Sequence, residues 1–211
     1  MKKLVLPLLL LLGISMLLAQ AVSEPSEVVG YVKYDMIEGN TIVAIPMDAG
    51  FTMASEVALS YGGTCDAIAY FGTDEFWYTA YTDGTDWYDD FPVQPGSCVM
   101  MYAYDTTPFY SIGALPASPA TYPLIEGNSI VAVPLNRSDL DWASAVGADI
   151  GTDAVAYFGT DELWYTAYTD GTDWYDDFQV SIGRPLMVYS GTATTWPARS
   201  ATNLNFNVQS K

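Results

Sequence analysis

The sequence predicts a mainly β protein made of two tandem antiparallel β-rich repeats, small sandwich- or barrel-like lobes with one short helix each. Three observations carry this: long segments recur at a nearly constant offset, the recurring segments are rich in β-branched and aromatic residues, and a hairpin signal sits inside each copy. "IEGNTIVAIPM" (Ile37 to Met47) returns as "IEGNSIVAVPL" (Ile125 to Leu135). "DAIAYFGTDEFWYTAYTDGTDWYDDFPV" (Asp66 to Val93) returns from Asp153 to Val180, with differences only at Ile68/Val155, Phe76/Leu163 and Pro92/Gln179. The stretches between the two matches share almost nothing, and the two copies form either separate lobes or one fused sandwich.

The chain opens MKKLVLPLLLLLGISMLLAQA, two lysines before an apolar run and small residues at Ala19 and Ala21. This pattern predicts a secretory signal peptide over 1–21, too short in its apolar part for a membrane span. The mature chain is then secreted, soluble or bound at a cell surface. Losing Lys2 and Lys3 leaves five basic residues against 25 acidic ones, a formal charge of −20. Such a surface repels phosphate backbones, which excludes nucleic acid as a natural partner and suits divalent cations. With 6 Trp, 16 Tyr and 8 Phe, acidity does not mean disorder here. The boundaries expected are a first repeat over 22–104, a linker rich in Pro, Thr, Ser and Ala over 105–122, and a second repeat with a C-terminal strand over 123–211.

Each repeat starts with a strand, "NTIVAIP", after a Glu-Gly-Asn turn. "TMASEVALS" and "SDLDWASAV" have helical spacing, and Ser138 with Asp141 has the form of a capping box. Next come "AIAYF", a Gly-Thr-Asp-Glu turn, "FWYTAYT", an Asp83-Gly84 hairpin turn, "DWYDDFPV" and, after Pro95-Gly96, "CVMMYAY". Four or five strands and one helix per repeat are expected. A two-residue turn at Asp83-Gly84 places Phe76, Tyr78, Ala80, Trp87, Asp89 and Phe91 on the core side, with Leu163 replacing Phe76 in the copy. Trp77, Thr79, Tyr81, Asp86, Tyr88 and Asp90 take the other face, as do Trp164, Thr166, Tyr168, Asp173, Tyr175 and Asp177. An aromatic face edged by carboxylates has the makeup of a protein interface or a sugar platform, or it packs against the helix or sister repeat. The candidate binding or assembly residues are therefore Trp77, Tyr81, Tyr88, Trp164, Tyr168 and Tyr175.

Cys65 and Cys98 fit an oxidising compartment, and Thr152 and Pro185 stand at both their positions in the second copy. Joint presence and joint absence point to a disulfide, with free thiols as the alternative; closing a loop of about 30 residues contributes about 3–4 kcal/mol. Asp83, Asp86 and Asp90, with Asp170, Asp173 and Asp177, offer oxygens near a tight turn, the ligand type of calcium, or else form a solvated acidic turn. Asn136-Arg137-Ser138 fits a glycosylation sequon. The chain has no histidine and no glycine-rich phosphate loop. Asp74-Glu75 with Asp89-Asp90 supply candidate carboxylate pairs for glycoside hydrolysis, and such pairs occur in both copies, unlike an asymmetric active site. No enzyme activity and no cofactor beyond calcium are expected.

"EGNTIVAIPM", the short helix, "AIAYFGTDEFWYTAY" and "FPVQPGSCVMMY" resemble the repeat of secreted bacterial and archaeal surface proteins that opens Gly-Trp-Asn-Leu-Ile-Ser-Leu-Pro. That repeat closes with Phe-x-Leu-x-Pro-Gly-x-Gly-Tyr-Trp. The likeness covers Ile37 to Tyr102 and Ile125 to Tyr189; Asn40 stands for the tryptophan, Cys98-Val99-Met100 for Gly-Tyr-Trp, and Ile182-Gly183 for Pro-Gly. The resemblance implies an extracellular, non-catalytic β module, structural or accessory. Together with the strand-like segments "EVVGYVKYDM" and "NLNFNVQSK" at either end, it leads to a self-associating subunit of a fibre or surface layer, joined through strand edges and the hairpin faces. The rival is an adhesive or carbohydrate-binding module, calcium-dependent in one version, with surface polysaccharide as partner.

Overall fold

The computed structural model describes residues 29–118 and 120–197. The expected signal peptide and the C-terminal strand at Asn203 to Lys211 lie outside the described residues. The first repeat runs β1 (Val29–Tyr34), β2 (Gly39–Ala44), α1 (Ala54–Ser60), β3 (Cys65–Phe71), β4 (Trp77–Thr82), β5 (Trp87–Tyr88), β6 (Cys98–Ala103) and β7 (Phe109–Ala114). The second runs β8 (Tyr122–Leu124), β9 (Gly127–Ala132), α2 (Ala143–Ile150), β10 (Ala154–Phe158), β11 (Trp164–Thr169), β12 (Trp174–Tyr175), β13 (Pro185–Ser190) and β14 (Thr194–Trp196). The chain is mainly β in two similar repeats with one short helix each.

Each repeat forms a five-stranded antiparallel sheet, in the orders β2-β6-β3-β4-β5 and β9-β13-β10-β11-β12. Its first and last strands form a separate two-stranded ribbon, β1-β7 and β8-β14. Each repeat thus has seven strands rather than four or five. The segment 105–122 is not a simple linker, because Phe109–Ala114 pairs with Val29–Tyr34 and closes the first repeat. Its inward positions, Ser111 and Gly113, are small, and Phe109 alone supplies bulk. The N-terminal strand likewise pairs inside its own chain, with Val29 opposite Ala114 and Tyr34 opposite Phe109. The two ribbons repeat one aromatic contact: Tyr34 stacks on Phe109 at 6.1 Å, and Tyr122 on Trp196 at 5.9 Å.

The helices are short and lean on their sheets. In α1 the buried positions Ala54, Val57 and Ala58 form the i, i+3, i+4 stripe expected of a packed helix. Seven residues are too few to be helical alone in water, so packing and capping hold the element. Glu56 of α1 accepts the Thr52 and Met53 N–H groups, and the hairpin supplies a further cap to each helix. Asp90 accepts the Ser55 N–H at 3.1 Å and the Ser55 hydroxyl at 2.6 Å, and Asp177 does the same for Ser144 at 3.0 and 2.6 Å. The expected capping box at Ser138 and Asp141 is not formed, because α2 starts later, at Ala143, where Asp177 supplies the anion. Gly147 is fixed by contact: a Cβ there would lie 2.2 Å from the Trp174 ring.

One apolar core runs through both repeats, from Val43, Ile68 and Val99 to Val131, Val155 and Val188. At about 1.5–3 kcal/mol for each fully buried aliphatic side chain, this shared core is the main force joining the repeats. A reciprocal polar clamp sets their register. Glu75, in the β3–β4 turn, accepts the Asn128 N–H at 2.5 Å and its side-chain amide at 3.2 Å. Glu162, in the β10–β11 turn, accepts the Asn40 N–H at 2.6 Å and its side-chain amide at 3.0 Å. Residue i of one copy binds residue j of the other and the reverse, as in a two-fold symmetric dimer. Both glutamates hold left-handed backbone, φ 63° and 61°. Gly39 and Gly127 favour glycine because their φ of 124° and 125° is a backbone conformation L side chains rarely adopt, and a Cβ would also stand 2.6 and 2.4 Å from these carboxylates.

Candidate binding surface

Strand register assembles a row of tyrosines across each sheet. Tyr88 lies opposite Tyr81, Tyr81 opposite Ala67, Ala67 opposite Tyr102, and Tyr102 opposite Asn40. Directly opposed residues share a face, so Tyr88, Tyr81 and Tyr102 line one side of the sheet, with the small Ala67 as a gap. In the second sheet Tyr175 lies opposite Tyr168, Tyr168 opposite Ala154, and Tyr189 opposite Asn128, while Val155 opposite Val188 puts Ala154 and Tyr189 at the next step of the same register. All six tyrosines are between 38% and 51% exposed. Tyr81 stacks on Tyr88 at 5.4 Å, as does Tyr168 on Tyr175. At about 4.8 Å per strand, Tyr81 and Tyr102 stand about 10 Å apart across the Ala67 gap.

Tyr81 with Tyr88, and Tyr168 with Tyr175, therefore form two exposed pairs, one on each sheet. Trp77 and Trp164 are on the same face but belong to its far end, leaning on Phe71 at 5.3 Å and Phe158 at 5.2 Å. Tyr102 and Tyr189 were missed because they fall outside the duplicated block; the alternation of "CVMMYAY" beside Ala67 was the available signal. On the opposite face Ala80 and Phe91 are buried and Trp87 packs on the core. Phe76 is corrected: it sits at the tip of the β3–β4 turn, 68% exposed, and Leu163 is 59% exposed.

The hairpin turn is four residues long, not two, because Thr82 pairs with Trp87. Asp83 organises it. Its carboxylate accepts the N–H groups of Thr85 at 2.9 Å and Asp86 at 3.0 Å and the Tyr88 hydroxyl at 2.9 Å. The backbone bond from Asp86 leads in holding the Asp83 carboxyl below its usual range, and the bond to Asp83 raises the Tyr88 hydroxyl above its own. Asp170 repeats these bonds with Thr172, Asp173 and Tyr175. Asp83 and Asp170 thus orient the exposed tyrosines.

The six aspartates set out for calcium do not gather in one place. Asp90 and Asp177 face the helices, Asp83 and Asp170 face inward to their turns, and among the described residues no three acidic or sulfur groups converge to hold a metal. The acids weighed for hydrolysis are engaged as well: Asp74 accepts the Tyr78 hydroxyl, Glu75 holds Asn128, and Asp90 holds Ser55.

The expected disulfide is absent. Cys65 lies opposite Ala103 on β6, five residues from Cys98 along that strand. That is about 16 Å, against the roughly 4.4–6.8 Å between Cα atoms that a disulfide spans. The paired substitution has a local cause at one end: the Cys65 thiol donates to the Ala67 carbonyl at 3.3 Å, and Thr152 donates to the equivalent Ala154 carbonyl at 3.2 Å. Burial pushes the Cys65 thiol up to about 11 and the Cys98 thiol higher still, so neither is a reactive thiolate at neutral pH. Asn136 is half-buried with its Oδ1 enclosed, and its neighbour Arg137 is buried, a poor setting for a glycan.

Two clefts open where the repeats meet, on equivalent residues of the two copies. One, of about 400 Å³, is bounded by Tyr70, Phe71, Ser97, Cys98 and Tyr122. The other, of about 330 Å³, is bounded by Tyr157, Phe158, Arg184, Pro185 and Tyr34. No helix among the described residues is long and apolar enough to cross a membrane. No family model, curated protein or solved structure matches the chain.

Proposed function

We propose that this is a non-catalytic extracellular carbohydrate-binding protein that holds neutral polysaccharide on its twin tyrosine rows. The observation behind this reading is the four-strand row Tyr88, Tyr81, Ala67 and Tyr102, repeated as Tyr175, Tyr168, Ala154 and Tyr189. Tyrosine presents an apolar ring face to sugar C–H groups and a hydroxyl to sugar oxygens, at low entropic cost. The alanine gap gives a ring somewhere to settle between aromatic walls. A row crossing four strands, about 14 Å, suits a short oligosaccharide stretch rather than one sugar.

Assembly through strand edges has less support from the five-stranded sheets. One edge of each is a two-residue strand, β5 or β12, a length that discourages pairing. The other edge, β2 or β9, meets the sister repeat at the Asn40 and Asn128 clamps. The fibre or surface-layer reading keeps one favourable observation: the β1–β7 ribbon exposes Val29, Tyr31, Tyr110 and Ile112, all at least 46% accessible. The deciding experiment is retention on soluble neutral β-glucans in native affinity gels, alongside sedimentation of the protein alone. Retardation that disappears when Tyr81, Tyr102, Tyr168 and Tyr189 are all changed to alanine supports carbohydrate binding. Unretarded protein that sediments as polymers transfers the function to assembly.

A further inference from the structure

The two clefts descend from one duplicated site, and they have diverged in charge. Where the first has Ser97, Thr121 and Pro123, the second has Arg184, Lys33 and Asp35. Only three cationic side chains occur among the described residues, Lys33, Arg137 and Arg184. Arg137 is bonded to Asp139 and Asp149, and Lys33 reaches Asp35 at 2.6 Å. Arg184 has no carboxylate within ion-pair distance among the described residues, in a chain with 25 acids.

The guanidinium is nevertheless held firmly. It lies 4.2 Å from the centre of the Tyr157 ring and 5.7 Å from that of Phe178, and Nη1 donates to the Gln179 carbonyl at 3.0 Å. One donor is used for anchoring, and no carboxylate among the described residues takes the others, while Arg184 lines the cleft. Burial disfavours the charged form, as expected for a half-buried cation lacking an anion. A fixed planar fork is the side chain best matched to a carboxylate, which it binds through two parallel hydrogen bonds. The lining also includes Thr160 and Ser181, the aromatic wall of Phe158, and the Lys33–Asp35 ion pair, which is neutral as a unit and leaves Arg184 as the one uncompensated charge. Hydroxyl partners, a ring-sized cavity and one anchored cation match a sugar ring bearing a carboxylate.

We propose that the Arg184 cleft is a binding site for a uronate residue of an acidic polysaccharide. The site stands apart from the tyrosine rows and does not depend on them.

The test is titration calorimetry of the full chain, in calcium-free buffer, with trigalacturonate, its methyl ester and a tripeptide carrying a free C-terminal carboxylate. Trigalacturonate is expected to bind at one site per chain, and the ester roughly tenfold or more weakly, the cost of a lost charge-assisted pair. Arg184→Gln should weaken trigalacturonate by a similar factor. Where Arg184→Gln fails to fold, Thr160→Trp at the exposed rim blocks the cleft with the arginine in place and should have the same effect. Absence of trigalacturonate binding, equal binding of acid and ester, or indifference to both substitutions overturns the proposal. Equal affinity for the tripeptide overturns the assignment to a sugar.

Discussion

Removing Tyr81 and Tyr168 should weaken neutral glycan binding by an amount that depends on glycan length. Each ring is 48% exposed. With about 200 Å² per tyrosine side chain, roughly 100 Å² is open, and a sugar on one face covers about half of that. Some 50 Å² at about 25 cal/mol/Å² is about 1.2 kcal/mol, close to eightfold in affinity. Cellohexaose bound at a single row should lose roughly eightfold at each site in the Tyr81→Ala/Tyr168→Ala double variant. A long soluble β-glucan that bridges both rows multiplies the two losses, to about 60-fold. Calorimetry reads the oligomer and affinity gels read the polymer. Equal losses on both would show that the rows act singly. An unchanged hexaose affinity would refute the platform, because it would mean that the exposed tyrosines contact no sugar.

Three further outcomes follow from the geometry. Arg137 is 8% exposed and binds both Asp139 and Asp149, and Asp149 also accepts the Trp196 indole N–H at 2.8 Å; Arg137→Leu takes the cation from two carboxylates and should cost about 3 kcal/mol, a fall of roughly 6–12 °C in melting temperature. Asp105 is held at about 2, below the ordinary 3.8, by Thr107 first and then Thr64 and Tyr61; its stabilisation is complete above about pH 4 and lost as pH falls through 2, so Asp105→Asn should flatten the acid limb of a melting curve series between pH 5 and 2. Both thiols should react with a maleimide after denaturation without reductant, and melting should be indifferent to dithiothreitol; a loss of reactivity reversed by reductant would restore the disulfide.

What was legible in the sequence was whatever depended on periodicity. Tyr81 and Tyr88 share a face with Thr79 whether the turn has two residues or four, because lengthening it by two keeps the parity of the strands. The turn length itself depended on the Asp83 side chain, which satisfies two N–H groups and so sustains a wider loop than Asp-Gly alone indicates. The strand at Phe109 to Ala114 was hidden by composition: its inward Ser111 and Gly113 resemble loop residues, and its need for small groups is set by a neighbour, since a Cβ on Gly113 would strike the Asp48 backbone at 2.3 Å. The start of α2 was displaced for a similar reason, its cap arriving from Asp177 across 33 residues. The Arg184 cleft had no local signature, for its walls come from four separated segments of both repeats.

The duplicated wording acquires a physical reason from the clamp. "EGN" and "GTDE" are the two halves of one contact: the first supplies Asn40 or Asn128 behind a glycine at positive φ, the second supplies Glu75 or Glu162 at a left-handed turn. In a reciprocal interface a change in either segment of one copy disturbs a partner in the other, so both copies are held to both segments. The same hairpin carries Asp90 or Asp177 to the helix and Asp83 or Asp170 to the tyrosine pair, so three sets of hydrogen bonds constrain one short stretch. The cleft linings carry no such reciprocal duty. Ser97 and Arg184, or Thr121 and Lys33, take no part in the clamp's hydrogen bonds, and they were free to part in charge while the hairpins stayed alike. A duplication locked at its centre and free at its margins yields two like platforms and two unlike pockets.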